Sequence, residues 1–166
     1  MKRKELTLSG AGCQTLLSLS LSAFFSSRQC PGTAIRAAMD WAVAQIKMNN
    51  VVISGFHSPL EQSVLKVLIQ ARSPAVVVLA RPVEVAKLPS AWTEPISHGF
   101  LTIVSGRTQL SRVTRYLAAA RNDLVVQLAD VIVVAYVSPN GALAAQCAQW
   151  RNEARHLIEL NAPRER

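Results

Sequence analysis

Val51-Val52-Ile53-Ser54, then Gly55-Phe56-His57-Ser58-Pro59, then Leu60–Arg72 is the stretch on which the reading of the fold turns. Its first four residues form an apolar, β-branched run with no polar alternation. A strand that is wet on one face alternates, so an unbroken run marks a strand covered on both faces. The glycine, serine and proline that follow make a loop. The next residues place Leu60, Val64, Val67, Leu68 and Ala71 along one side of a helix, with Pro59 in the first turn, where a missing N–H costs nothing. Strand, loop and helix in that order are half of a βαβ unit.

The same pattern repeats in both directions. Ala75–Ala80 (AVVVLA) and Val131–Ala135 (VIVVA) are further unbroken runs, Leu21–Ser26 and Leu101–Val104 read as strands, and Leu157–Leu160 is a short candidate sixth. Between them, Thr33–Lys47 reads as a helix with Ile35, Ala38, Met39, Ala42 and Ile46 on one face, Thr33 as its cap and Asn49-Asn50 as its stop. Thr108–Ala129 reads as helical with a break near Asn122, and Ala142–Arg155 as a last helix. Residues 81–99 carry Pro82, Pro89 and Pro95 and read as irregular, with a turn of helix near Trp92. Trp41, Trp92 and Trp150 are expected to pack. Right-handed crossovers between such strands give an α/β fold: a doubly wound, mainly parallel, Rossmann-like sheet of five to six strands with helices on both faces. The expected organisation is one domain over residues 21–160, with residues 1–20 an N-terminal extension open to disorder and 161–166 a basic tail.

Composition narrows the function classes. Half of the 166 residues are apolar and 17% are charged, which excludes a disordered chain. No run reaches the roughly 18 apolar residues of a membrane span. Ser18, Ser20 and Ser22 break the apolar stretch that a signal peptide needs, so a cytoplasmic protein without a membrane partner is expected. Cys13, Cys30 and Cys147 are odd in number and far apart, which offers neither a disulfide framework nor a metal site. The net charge of +8 favours a polyanion as partner, although the chain ends supply part of it.

In an open α/β sheet a ligand lies beyond the carboxyl ends of the strands. Four of those ends are alike here: Ser26-Ser27-Arg28, Ser54-Gly55, Ser105-Gly106-Arg107 and Ser138-Pro139-Asn140-Gly141. Small residues let the backbone approach a ligand, and the helices that follow present free N–H groups to phosphate. The same residues also serve as ordinary turn formers. His57 is placed to donate to a phosphate or act as a base, or simply to bond its own loop. Arg107, Arg112 and Arg115 can track a sugar–phosphate backbone, or form a solvated helix face. GxGxxG, GxxxxGK[ST] and GxSxG are absent, and acidic residues near strand ends are few. Hence no catalytic residue, metal or cofactor is assigned, and a binding role is favoured over an enzyme.

With these segments placed, the chain resembles the DNA-processing protein A (DprA/Smf) family, and more closely its short single-domain members. That family shares a superfamily with the LOG-type nucleotide hydrolases. The resemblance runs from about Phe24 to Trp150. Phe24-Phe25-Ser26-Ser27-Arg28 with Pro31-Gly32 is similar to the family's opening strand and loop, and Val51-Val52-Ile53-Ser54-Gly55 to its second strand and turn. Arg121-Asn122-Asp123-Leu124-Val125-Val126-Gln127-Leu128-Ala129-Asp130 is the most specific match. Val131–Ala135 with Ser138-Pro139-Asn140-Gly141 resembles the final strand and its loop. The resemblance implies an anion pocket built from Ser27, Arg28, Ser54, Gly55, Arg121, Asn122 and Gly141, to which Gly32, His57, Ser58, Ser138 and Asn140 are added as neighbours.

Full-length members bind single-stranded DNA, dimerise and hand DNA to the RecA recombinase in natural transformation. The resemblance therefore implies single-stranded DNA, or a nucleotide, as ligand, and a homodimer. RecA is a doubtful partner, because the chain has no room for the family's additional helical and winged-helix domains. The family's usual Gly-x-Arg-Gly-Ile-Asp is here Gly55-Phe56-His57-Ser58-Pro59-Leu60-Glu61, which removes the arginine and the aspartate. The usual Gly-Ser-Gly-Ser loop is reduced to Ser138-Pro139-Asn140-Gly141. The expected function is a non-catalytic DNA-processing accessory protein that holds single-stranded DNA or another phosphate-rich ligand at the carboxyl edge of the sheet. The alternatives are a nucleotide-sensing domain, a degenerate nucleotide hydrolase of the LOG type, or a structural dimer without a ligand.

Overall fold

The computed structural model of the chain describes residues 8–106 and 115–160. Seven strands form one sheet: β1 (Leu8–Ala11), β2 (Leu21–Phe25), β3 (Val51–Ser54), β4 (Ala75–Leu79), β5 (Leu101–Gly106), β6 (Val131–Val134) and β7 (Leu157–Glu159). Their spatial order is β1-β5-β4-β3-β2-β6-β7. All neighbours pair in parallel except β1, which lies antiparallel on β5 with Leu8 opposite Gly106. Five helices occur among the described residues: α1 (Gly32–Met48), α2 (Pro59–Gln70), α3 (Thr93–Ser97), α4 (Arg115–Leu128) and α5 (Ala142–Asn152).

The unbroken runs are buried on both faces because both faces are covered. Leu21, Ala23 and Phe25 of β2 point into a layer with Ile53, Val76, Ile132 and the α4–α5 residues Val125, Cys147 and Trp150. Phe24, Val52, Val77 and Ile103 point the other way, against Ala38 and Ala42 of α1 and Leu60, Val64 and Leu68 of α2. Each Val, Leu, Ile or Phe among them that is withdrawn from water contributes about 1.5–3 kcal/mol.

Polar contacts fix the ends of the central strands. The Asp130 carboxylate accepts the Leu21 N–H at 2.8 Å, and the Asp130 N–H donates to the Leu21 carbonyl at 2.8 Å. The Arg155 guanidinium donates to the Val126 and Ala129 carbonyls, which closes the carboxyl end of α4.

Several expectations need correction. Residues 8–18, read from the sequence as part of an extension, contribute β1 and a 3-10 turn over Gln14–Ser18, and Leu16 enters the core. The sheet thus has seven strands. Thr33 does not cap α1: the helix opens one residue earlier, with Pro31 at its N-cap. The buried stripe of α1 is Ala34, Ala38, Ala42 and Gln45, and Ile35 faces outward. Small residues face the sheet because they let the helix axis approach it closely. The helix α4 runs through Asn122 without a break, because Asn122 bonds sideways to other side chains and leaves the helix ladder intact.

Candidate functional site

The order of the strands places the site. The chain runs β2, β3, β4, β5 outward on one side, then returns through α4 to lay β6 on the opposite side of β2. The connections leaving β2 and β6 therefore diverge, and a crevice opens at their carboxyl ends. Two loops form its mouth, after Phe25 and after Val134. They are stitched together: the Ser27 N–H donates to the Tyr136 carbonyl at 2.8 Å, and the Ser27 hydroxyl accepts the Ser138 N–H at 2.7 Å. The resulting cavity is about 870 Å³ and reaches inward to Phe25. Behind it, Phe25 packs on Trp150 at 4.9 Å, and the Trp150 indole N–H is held by Asp123 at 3.1 Å.

Arg121 supplies the charge inside the crevice. It sits on α4 and lies directly over Gly55: a Cβ added at Gly55 would stand 2.5 Å from Arg121 Nε. A glycine is needed there because the guanidinium occupies the space of a side chain. Burial pushes the Arg121 pKa below its ordinary value, and the negative charge of Glu61 acts in the opposite direction. An arginine remains a cation in such a place. Asn122 Oδ1 accepts from Arg121 Nε and Nη2, each at 3.2 Å, which fixes the plane of the guanidinium.

Glu61 joins the other two loops. Its carboxylate accepts the N–H groups of Ser26 at 2.9 Å, His57 at 2.9 Å and Ser58 at 3.3 Å. The Ser58 hydroxyl in turn accepts the Glu61 N–H, so Ser58 and Glu61 form a capping box on α2. A buried carboxylate with three donors ties the β2 and β3 loops into one wall of the cavity.

The candidate residues do not all reach the cavity. Ser27, Arg28, His57, Ser58, Arg121, Asn122, Ser138 and Gly141 line it, as does Arg115. Arg28, Arg115 and His57 are exposed at its rim. Ser54 is fully buried below, where its hydroxyl accepts the Phe56 N–H. Gly55 acts as the seat of Arg121 and is not part of the lining. Gly32 opens α1 outside the cavity wall. Asn140, at φ 60°, shapes the turn before α5. Arg107 and Arg112 lie outside the described residues. Of the β5 end, the described residues Ser105 and Gly106 do not line the cavity: the Ser105 hydroxyl accepts the Val83 N–H, and Gly106 pairs with Leu8.

The start of α5 faces the same cavity through Gly141, Ala142 and Leu143, and no side chain caps it. Its first N–H groups and partial positive charge complement an anion beside Arg121. Two contributors escaped the sequence reading. Glu61 was legible, since Ser58-Pro59-Leu60-Glu61 has the spacing of a capping box. Gln146, which takes the Asn122 amide, has no sequence signal at all. Among the described residues no group of three His, Cys, Asp or Glu could hold a metal ion, and no helix is long and apolar enough to cross a membrane.

The model of the DNA recombination-mediator protein A family matches residues 1–160. No curated protein sequence matches the chain. Among solved structures, the chain is similar to DNA processing protein A from Streptococcus pneumoniae, with a TM-score of 0.74 at 16% identity, covering 92% of this chain and 54% of that one. It is equally similar to DNA processing protein A from Helicobacter pylori, described by its single-stranded DNA binding mode, with a TM-score of 0.74 at 16% identity, over 92% of this chain and 70% of that one. The molybdenum cofactor binding protein of Rippkaea orientalis shares the fold at a TM-score of 0.60 and 13% identity, over 85% of this chain and 76% of that one. The chain thus spans about half the length of the pneumococcal protein, and these likenesses concern the fold.

Proposed function

The chain belongs to the DNA recombination-mediator protein A family, and we propose that it binds single-stranded DNA at the crevice between β2 and β6, without catalysing a reaction on it. The observation that carries this reading is Arg121: a guanidinium seated over Gly55 in a cavity that it shares with the uncapped start of α5. Arg28 and Arg115 at the rim would extend the phosphate path in both directions. Contacts of this kind go to the sugar–phosphate backbone and read little sequence. The similar H. pylori protein binds single-stranded DNA, which supports the same choice of ligand.

A second reading comes from the cavity itself. At about 870 Å³ it also admits one nucleotide. Titration with oligothymidylates of rising length and with a mononucleotide separates the two. For the DNA role, affinity rises with length and the mononucleotide competes poorly. A mononucleotide that binds once, as tightly as any oligomer, and raises the melting temperature with occupancy would establish the second reading instead.

A further inference from the structure

We infer that Gln146 is a positioning residue for the anion pocket, acting on Arg121 through Asn122; this rests on the reading of Arg121 as the phosphate ligand. Gln146 belongs to α5, and Arg121 and Asn122 to α4. Gln146 Nε2 donates to the Ala119 carbonyl at 3.1 Å, and Gln146 Oε1 accepts from Asn122 Nδ2 at 2.9 Å. Asn122 Oδ1 then accepts from Arg121 Nε and Nη2. The direction of this chain is set at both ends. A guanidinium can only donate and a carbonyl can only accept, so each amide between them has one consistent orientation.

The relay has a mechanical consequence. Arginine side chains are long and lose rotamer freedom when they bind, which weakens the contact. Here the guanidinium is held before any ligand arrives. Gln146 bridges the two helices that flank the crevice, so it makes the position of Arg121 depend on the packing of α5 against α4. Without it, the Asn122 amide loses its partner and is free to turn, and Arg121 loses the acceptor that fixes its plane.

Gln146→Met keeps the size of the side chain and removes both hydrogen bonds; Gln146→Ala is the second variant should the first fold poorly. Melting temperature reports folding. Binding of a labelled 30-residue oligothymidylate is measured for wild type, Gln146→Met, Arg121→Ala and the double variant, over a range of salt. Exchange of the Arg121 Nε–H with water is followed by NMR on the free protein. The expected result is faster Nε–H exchange in Gln146→Met, with affinity reduced about tenfold, the size of one charge-assisted hydrogen bond. The salt slope should fall by about 0.7, the value for one lost phosphate contact on a single strand, although glutamine carries no charge. In the Arg121→Ala background the same substitution should change nothing. An unchanged affinity and salt slope in Gln146→Met, or an equal loss with and without Arg121, would overturn the inference. If Arg121→Ala itself binds like wild type, the pocket reading fails, and the exchange data alone then show whether the relay is merely structural.

Discussion

Arg121 and Gly55 form the smallest unit of the site. An arginine seated on a glycine backbone is a pair in which neither residue has its role without the other. Gly55 has an ordinary backbone conformation, so Gly55→Ala does not strain the main chain; the new methyl displaces only the flexible arginine. The expected outcome is a melting temperature within a few degrees of wild type together with about a tenfold loss of oligonucleotide affinity, read by calorimetry and anisotropy. A large loss of stability would mean that Arg121 is a structural residue. At this scale the sequence was partly legible. Arg121 and Asn122 stood out through the resemblance, and Gly55 as a turn residue. That Gly55 is needed beneath a side chain 66 positions away is a fact of tertiary packing, which no local pattern carries. The sequence points to the His57 ring, whereas its described bonds are made by the backbone: the N–H donates to Glu61 and the carbonyl accepts from Gln62.

The elements are set by their ends. The Ser58–Glu61 capping box both starts α2 and braces two loops of the crevice. Ser58→Ala removes one capping bond and should cost about 1 kcal/mol in denaturant unfolding. Glu61→Ala leaves three N–H groups without their acceptor and should cost more, about 2–4 kcal/mol. Equal effects would show that the loop bonds contribute nothing. The edge strand β1 gives a different test. Gly12, at φ 105°, lets the chain leave β1 where a Cβ would stand 2.6 Å from the Leu101 carbonyl oxygen. Gly12→Ala should destabilise the protein by more than about 1 kcal/mol, since neither the conformation nor the space suits a side chain. The unbroken β-branched runs made β3, β4 and β6 readable, because burial on both faces leaves a mark in composition. Leu8-Ser9-Gly10-Ala11 carries no such mark. Its strand conformation comes from pairing with β5, and Gly10, with Gly12 just beyond the strand, mimics a loop.

On the scale of the whole molecule, burial and charge decide the behaviour. The Cys147 thiol lies between α5 and the sheet, and burial raises its pKa to about 11 from an ordinary value of 9.0. The fold thus favours the neutral thiol. Its contribution is fully present below pH 9 and is lost as the pH rises toward 11, because the unfolded chain releases that proton more readily. Wild type should therefore lose melting temperature between pH 9 and 11 by more than Cys147→Ala does; parallel curves would contradict this. The doubly wound parallel core was readable from the alternation of runs and helices, while the antiparallel edge strand β1 was not. The crevice was not, because strand order decides which of four similar loops meet. Among the described residues the β2, β6 and β3 loops converge, while Ser105 and Gly106 at the end of β5 bond to Val83 and β1.

The net charge of +8 attracts any polyanion, so binding alone does not locate the site. The most direct measurement is anisotropy of a labelled 30-nucleotide single strand with wild type and Arg121→Ala at two salt concentrations. Binding should weaken with salt, and Arg121→Ala should lose about tenfold in affinity and show a shallower salt dependence. Equal affinity and equal salt dependence in the two proteins would place the DNA elsewhere on the surface and contradict the assignment of the crevice.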